Sequence, residues 1–231
     1  MIRNLLCAVA AALFLTAGCG RTTAVVEKPV AAPADPLWSQ LISTHSTGAI
    51  SRRSALRVTF RNDVVPAGKV GSDASAHLIV EPVIKGRITF ASTREIVATP
   101  ASGELAPGTT YKLRVNGKGL EGIDPKLTPF EFLVQTLQPN FDVQTEGLDV
   151  DPANDERMIL RGVVTTADVE DRARIEKTVR ATLVGAALPI TWAHAQSHRH
   201  EFTVGAIVRA GEPRALDLTW DGTPLGVRLA D

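Results

Sequence analysis

Apolar and polar residues alternate in short runs through most of the chain after Trp38. Up to residue 138 there are four such runs: Leu56/Val58/Phe60, Ile88/Phe90, Tyr111/Leu113/Val115 and Phe130/Phe132/Val134. A period of two is typical of strands with one buried face, because successive side chains point to opposite faces of a sheet. The pattern therefore predicts a β-sheet domain over residues 38–138.

A second set of strand-like runs predicts another domain over residues 139–231. It comprises residues 158–164, Ile190/Trp192, Phe202/Val204/Ala206/Val208 and Leu216/Leu218/Trp220. Between Asp168 and Leu183, Ile175, Val179 and Leu183 recur every four residues, and Asp168 or Asp171 is a candidate N-cap, so we expect a helix there. The sequence thus predicts a mainly β protein of two consecutive Ig-like β-sandwich domains, with one short helix in the second.

The turn before Tyr111 is the sharpest local motif. Pro107 fixes φ and Gly108 tolerates a positive φ, so this pair predicts a tight turn that leads into an alternating strand. Tyr111, the only tyrosine, follows in the position of a tyrosine corner, in which the phenol hydroxyl bonds to upstream backbone. The alternative is an ordinary turn followed by a half-buried tyrosine. Either interpretation gives Pro107, Gly108 and Tyr111 a structural role.

Residues 1–18 have the pattern of a secretory signal peptide. Arg3 supplies the positive charge, residues 5–15 form an apolar run, and the small residues Ala17 and Gly18 precede the expected cleavage site. The apolar run is shorter than the roughly 20 residues that cross a membrane. Residues 19–37, rich in Ala, Pro and Thr, predict a flexible tether.

The segment from Leu15 to Cys19 (LTAGC) resembles a bacterial lipobox, with Thr16 where leucine is commonest. The resemblance implies that Cys19 becomes the first residue and is lipidated, which anchors the chain to a membrane. Gly20 after the cysteine favours the outer membrane over the inner one, with the protein facing the periplasm. An ordinary signal peptide with a chance cysteine is the alternative. Cys7 lies in the signal, so no partner is left for a disulfide.

The net charge and one glycine motif bear on two possible classes of ligand, nucleic acids and dinucleotides. The 25 basic and 25 acidic residues balance, which argues against nucleic acid as a partner. Gly117, Gly119 and Gly122 match the G-x-G-x-x-G pattern of dinucleotide sites, but that motif needs a helix after it. Pro125 and Pro129 follow instead, so a glycine-rich hairpin loop is the favoured interpretation.

Two clusters are weak metal-site candidates. Three histidines, a number that suits zinc, crowd a predicted hairpin tip, where surface histidines are the favoured interpretation; they are His194, His198 and His200. Asp149, Asp151 and Asp155 suggest a calcium loop, but Asn154 stands where an EF-hand has glycine. An acidic turn between strands is therefore favoured. We predict no cofactor, no catalytic residue and no small-molecule substrate.

Four segments, in order, resemble the N-terminal region of bacterial α-2-macroglobulin-like lipoproteins. They are STHSTGAISRRSALRVTFRNDV (43–64), LAPGTTYKLRV leading to FEFLVQT (105–136), MILRGVVTTADVED (158–171) and the stretch from LPITWAH to DGTPLG (188–226). The resemblance implies successive macroglobulin-type sandwich domains. Complete members trap endopeptidases with a cleavable bait region and a Cys–Glu–Gln thioester. This chain has no cysteine after Cys19, so the thioester has no position here.

Three interpretations of function follow. The first is a non-catalytic envelope lipoprotein that is the N-terminal fragment or split part of such an endopeptidase inhibitor, and serves as a scaffold or docking module for other macroglobulin domains. The second is a self-standing Ig-like adhesin that binds a protein ligand by strand addition. A metal-dependent hydrolase built on the histidines is the third and the least favoured.

Overall fold

The computed structural model describes residue 31 and residues 33–227. Strands account for 47% and helices for 7% of it, which confirms the predicted mainly β fold of sandwich type. The strands form four sheets, two built from the first half of the chain and two from the second. The predicted signal peptide and Cys19 lie outside the described residues.

The first unit opens with a helical turn that the sequence pattern did not predict, α1 (Trp38–Leu41). Its strands are β1 (Ile42–His45), β2 (Gly48–Ile50), β3 (Leu56–Phe60), β4 (Leu78–Glu81), β5 (Gly86–Ser92), β6 (Glu95–Pro100), β7 (Thr110–Val115) and β8 (Phe130–Thr136), with a 3-10 turn at Ala67–Lys69. They form two sheets of order β1-β3-β6-β5 and β2-β8-β7-β4. β2 pairs with β8 in parallel, whereas the other ladders of this unit are antiparallel.

The two sheets enclose one apolar core. Leu56 and Val58 of β3 and Leu113 of β7 are fully buried, at the alternate positions that the period of two indicated. Trp38 of α1 is also buried, and its indole N–H donates to the carbonyl of Thr128 at 2.8 Å. The turn of α1 thus fixes the start of the unit onto its core.

The second unit follows after residues 137–140. It contains β9 (Phe141–Asp151), β10 (Asn154–Thr166), α2 (Arg172–Ile175), β11 (Val179–Leu183), β12 (Ala186–Ala187), β13 (Ile190–Ala193), β14 (Arg199–Val208), β15 (Leu216–Trp220) and a 3-10 turn at Thr223–Leu225. Its two sheets have the orders β13-β14-β10-β9 and β12-β11-β15. A second cluster of buried apolar residues, separate from the first, lies within this unit and includes Val164, Phe202 and Val204.

The predicted helix from Asp168 to Leu183 is wrong beyond its first turn. Asp171 does cap α2, because its carboxylate accepts the N–H of Ala173 at 2.9 Å. The chain then becomes β11, in which Val179 and Ala181 are buried and the residue between them is exposed. A recurrence every four residues also fits a period of two, so the apolar pattern did not distinguish a helix from a strand.

The alternation predicted through Ala206 and Val208 also fails, because β14 contains a bulge. Ala206 has a φ of 60°, and the register against β10 shifts at this point. Ile207 therefore takes the core position and is 5% exposed, while Ala206 and Val208 are solvent-exposed. An extra residue in one strand reverses the inward and outward positions after it.

Candidate functional sites

A buried ion pair joins the two units. Arg52 lies in the loop between β2 and β3, and Glu170 lies between β10 and α2. The Nη2 atom of Arg52 donates to Oε2 of Glu170 at 2.6 Å, and the two residues are only 5% and 7% exposed. A charge-assisted hydrogen bond of this length is among the stronger polar contacts in proteins.

The main chain of Arg52 is also hydrogen-bonded. Its N–H donates to Oδ2 of Asp168 at 2.9 Å, and its carbonyl accepts the N–H of Leu105 at 2.7 Å. The other oxygen of Asp168 accepts the N–H of Val169 at 2.7 Å. The contacts of Arg52 with Asp168 and Glu170 join the two units, and the bond to Leu105 holds the β2–β3 loop within the first unit. We call Arg52, Asp168 and Glu170 the interunit clamp.

The pKa values of the two carboxyl groups of the clamp are shifted in opposite directions. Burial raises the pKa of Glu170, and the attraction of Arg52 offsets this only in part. Burial also acts to raise the pKa of Asp168, but hydrogen bonds from Ser51 and from the N–H groups of Arg52 and Val169 outweigh it. The pKa of Asp168 consequently lies below its ordinary value, and this residue is the firmly ionised member.

Sequence reasoning missed the clamp completely. Arg52 is 116 and 118 residues away from its two partners. Each partner lies in a loop with no motif, and a pairing at this separation leaves no local pattern.

Tyr111 lies at the start of β7, 3% exposed. Its hydroxyl accepts the N–H of Ala106, five residues upstream, at 3.0 Å. The carbonyl of Ala106 in turn accepts the hydroxyl of Thr136 at 2.6 Å. Between them, Gly108 has a φ of 59° in the turn after Pro107. These bonds hold the turn onto the last strand of the first unit.

The structure brings His194 and His200 together but leaves His198 exposed. The Nδ1 atoms of His194 and His200 are 2.9 Å apart, and Nε2 of His194 lies 3.2 Å from a carboxylate oxygen of Glu176. One neutral arrangement satisfies both contacts: His194 donates to Glu176 and accepts from His200. His200 is 2% exposed, and its Nε2 has no hydrogen-bond partner among the described residues.

The surroundings of His200 disfavour the second proton that would give its ring a positive charge. Burial lowers the pKa of His200, and the neighbouring His194, His198 and Arg172 lower it further. Within residues 33–227, no group of three or more His, Cys, Asp or Glu side chains is placed to hold a metal ion. His194 and His200 therefore form a hydrogen-bonded pair at the end of the β13–β14 hairpin in which His200 is neutral.

The two remaining sequence motifs lie in a loop and at the tip of a hairpin. Gly117, Gly119 and Gly122 are in the loop of residues 116–129 between β7 and β8, a fully described segment that contains no helix. In the acidic segment, Asp149 and Asp151 end β9, Asp155 lies at the start of β10, and residues 152–153 form the turn between the two strands. There Asp151 accepts the N–H of Ala153 at 2.9 Å, while Asp149 binds Arg161 at 2.7 Å.

The fold and these sites define a β-sandwich protein whose two units are joined by a buried ion pair. No family model matches the chain, and no curated protein sequence matches it significantly. Neither α1 nor α2 is long and apolar enough to cross a membrane, and the described part of the chain contains no further α-helix.

Proposed function

We propose that this protein is a non-catalytic lipoprotein of the cell envelope that serves as a scaffold or docking module. In this proposal, it is the N-terminal part of a macroglobulin-like endopeptidase inhibitor, either as a fragment or as one of two split chains. Cys19 carries the lipid, residues 19–37 form the tether, and the two sandwiches face the periplasm, with the outer membrane favoured. Its partners are other macroglobulin domains or a protein ligand.

The interunit clamp is the observation that carries this proposal. A scaffold must present its surfaces at a fixed mutual orientation. Arg52, Asp168 and Glu170 support this, because a change of orientation that separated them would leave buried charges without partners. The four segments that resemble macroglobulin domains also span both units, and two of them contain the clamp residues.

Substitution of the proposed anchor tests the localisation. Cys19→Ser removes the thiol that accepts the lipid, so we expect loss of lipid labelling and of partitioning into the detergent phase. Cys7→Ser is the matched control, because it removes the other cysteine within the same apolar segment. Unchanged partitioning of the Cys19 variant would show that the anchor lies elsewhere.

An inhibition assay tests the non-catalytic role. Residues 20–231, incubated with a general endoprotease, should form no covalent adduct and should leave cleavage of a large substrate unslowed. Trapping needs a reactive acyl group, and this segment contains no cysteine to form a thioester. An SDS-stable conjugate with the protease, or stoichiometric protection of the substrate, would contradict the proposal.

A self-standing adhesin is the second candidate, and one observation favours it. β9 is eleven residues long and is the outer strand of its sheet, with no neighbour on its other side among the described strands. An open edge of this length can bind an extended ligand by strand addition. A downstream reading frame that carries a thioester motif would favour the split inhibitor instead.

A further inference from the structure

The far half of the β9–β10 hairpin is solvent-exposed along most of its length, at residues 147–150 and 155–157. We call residues 147–158 the acidic arm. A bulge separates the arm from the rest of β9, because the register against β10 shifts between Arg161 and Gly162 and leaves Glu146 as the extra residue. Gly147 supplies the positive φ, 99°, that this bulge requires. The edge of residues 147–151 is therefore a separate short strand segment.

One face of this segment is apolar and uncovered. Leu148 and Val150 are each 47% exposed. They lie directly opposite Leu160 and Met158 of β10, and opposite residues share a face of the sheet. Leu160 and Met158 belong to the core of the second unit. The core face of the sheet thus continues onto β9, but no described strand covers it there.

The other face of the segment is acidic. Asp149 and Asp151 alternate with the two apolar residues, and both point away from the core face. Residues 142–156 contain six acidic residues and no basic one, although the whole chain is neutral. Arg161 compensates Asp149 alone, through a bond of 2.7 Å. The edge carries a net negative charge that its own unit does not balance.

A second copy of the same edge is a poor occupant. Pairing β9 with another β9 would bring aspartates of one copy against aspartates of the other, and like charges opposite one another destabilise a sheet. A complementary occupant must instead present positive charge to Asp149 and Asp151 and apolar side chains to Leu148 and Val150.

We propose that residues 147–151 are a docking edge for an extended segment of a partner protein in which basic and apolar residues alternate. The segment would add to β9 as a further strand, with backbone hydrogen bonds supplying affinity and the alternating side chains supplying specificity. This inference rests on the proposed docking function and names its class of partner. It does not depend on the lipid anchor.

The test uses the full chain in a mild detergent and two fluorescent octapeptides with blocked ends. One peptide alternates lysine with valine, and the other alternates glutamate with valine. Fluorescence anisotropy should show binding of the lysine peptide only, with an affinity that falls as salt is raised. Amide resonances of residues 147–151 should shift on binding, because their outward N–H groups gain partners.

The variant Val150→Lys places a charge on the apolar face of the edge, where the valines of the peptide would pack, and should weaken binding of the lysine peptide by about tenfold or more, because a charge covered by apolar side chains has no partner there. Val83→Lys is the matched control, since Val83 is a valine 88% exposed on the first unit. This variant should bind the lysine peptide with the affinity of the wild type. Unfolding curves of both variants show whether each is folded.

Several outcomes would overturn the inference. These are equal binding of both peptides, equal effects of Val150→Lys and Val83→Lys, and a lysine peptide that retains its affinity when its backbone nitrogens are methylated. A concentration-dependent dimer that Val150→Lys abolishes would assign the edge to a second copy instead. None of these results affects lipid labelling of Cys19, so failure of the docking edge and failure of the proposed anchor are distinguishable.

Discussion

Replacement of Arg52 by methionine tests whether the clamp holds the two units together. Methionine has a similar length and no charge, so it retains much of the packing and removes the bond to Glu170. The main-chain bonds of residue 52 to Asp168 and Leu105 do not depend on its side chain. The variant therefore removes the bond to Glu170, together with a longer contact of 3.7 Å between Arg52 and Glu104, and leaves the main-chain bonds in place.

The magnitude follows from the burial of the pair. Removal of one partner of a buried ion pair costs about 3–5 kcal/mol, because the other charge remains buried without compensation. Glu170 is 7% exposed, so the full penalty applies to it as a carboxylate. Its pKa is already raised, however, so it can escape the penalty by binding a proton. We expect a loss of about 3 kcal/mol at pH 7, the lower end of the range.

Protonation of Glu170 also gives the loss a pH dependence. In the variant, the attraction of Arg52 no longer opposes the raised pKa and only that of Arg174 remains, so Glu170 binds its proton at a higher pH than in the wild type. Once Glu170 is neutral, the buried charge that destabilises the variant disappears. The difference in unfolding free energy between variant and wild type should therefore shrink as the pH is lowered from 7 towards 5.

Urea unfolding followed by tryptophan fluorescence measures the effect. Trp38 reports on the first unit, and Trp192 and Trp220 report on the second. Arg53→Met is the matched control, because the side chain of Arg53 is 39% exposed and pairs with Glu104 at the surface; it should cost less than about 1 kcal/mol. The double variant Arg52→Met with Glu170→Met should regain most of the loss, since an apolar pair replaces both charges.

Two results would refute this reasoning. One is a loss below about 0.5 kcal/mol for Arg52→Met, the size of an ordinary surface substitution. The other is a double variant no more stable than the single one, which would mean that the penalty does not come from the unpaired carboxylate.

Three further predictions concern single sites. Tyr111→Phe should destabilise the first unit by about 1–3 kcal/mol, because the N–H of Ala106 loses its acceptor; thermal melts should leave the second unit unchanged, and a loss below about 0.5 kcal/mol would exclude the corner role. Asp168→Asn should lower the free energy of unfolding most near neutral pH and progressively less below about pH 4, because a lowered native pKa stabilises only the ionised form. A pH series of urea midpoints checks this, and a difference between variant and wild type that stays constant with pH would contradict it. Gly162→Ala should cost about 1–3 kcal/mol in the same assay, since its Cβ would crowd Phe202 and lie 2.7 Å from the carbonyl of residue 144.

Several of the predicted strands have one buried face. β3, β7 and β8 each contact the core with alternate residues, so apolar and polar residues alternate in their sequences. One-sided burial was not sufficient for prediction, because β4 and β6 also alternate and were missed. β9 and β12 were missed as well, and so were β1 and β2, which are short and each present one or two apolar residues. β11 was assigned to a helix because Val179 and Leu183 fit either period.

The candidate sites also differ in whether the sequence could predict them, according to how far apart their residues lie along the chain. His194 directly follows β13 and His200 lies six residues later in β14, and the turn between them brings them together, so their proximity could be predicted from the sequence. His198 lies in that turn and is exposed. The clamp had no such signal, since long-range pairing of Arg52 with Glu170 is decided by how the two units pack and not by local residue order.

The parallel pairing of β2 with β8 has a mechanical consequence. Gly48, Ala49 and Ile50 lie beside residues 134–136, which are the last strand residues before the second unit. If the chain is held at its N-terminus, as the proposed anchor would hold it, tension on the second unit pulls these two strands in opposite directions along their length. All the backbone bonds of the ladder then bear load at once, as in shear, and none can be peeled singly. The same loop that carries Arg52 begins at the end of β2, so the ladder that is loaded in shear adjoins the joint between the units.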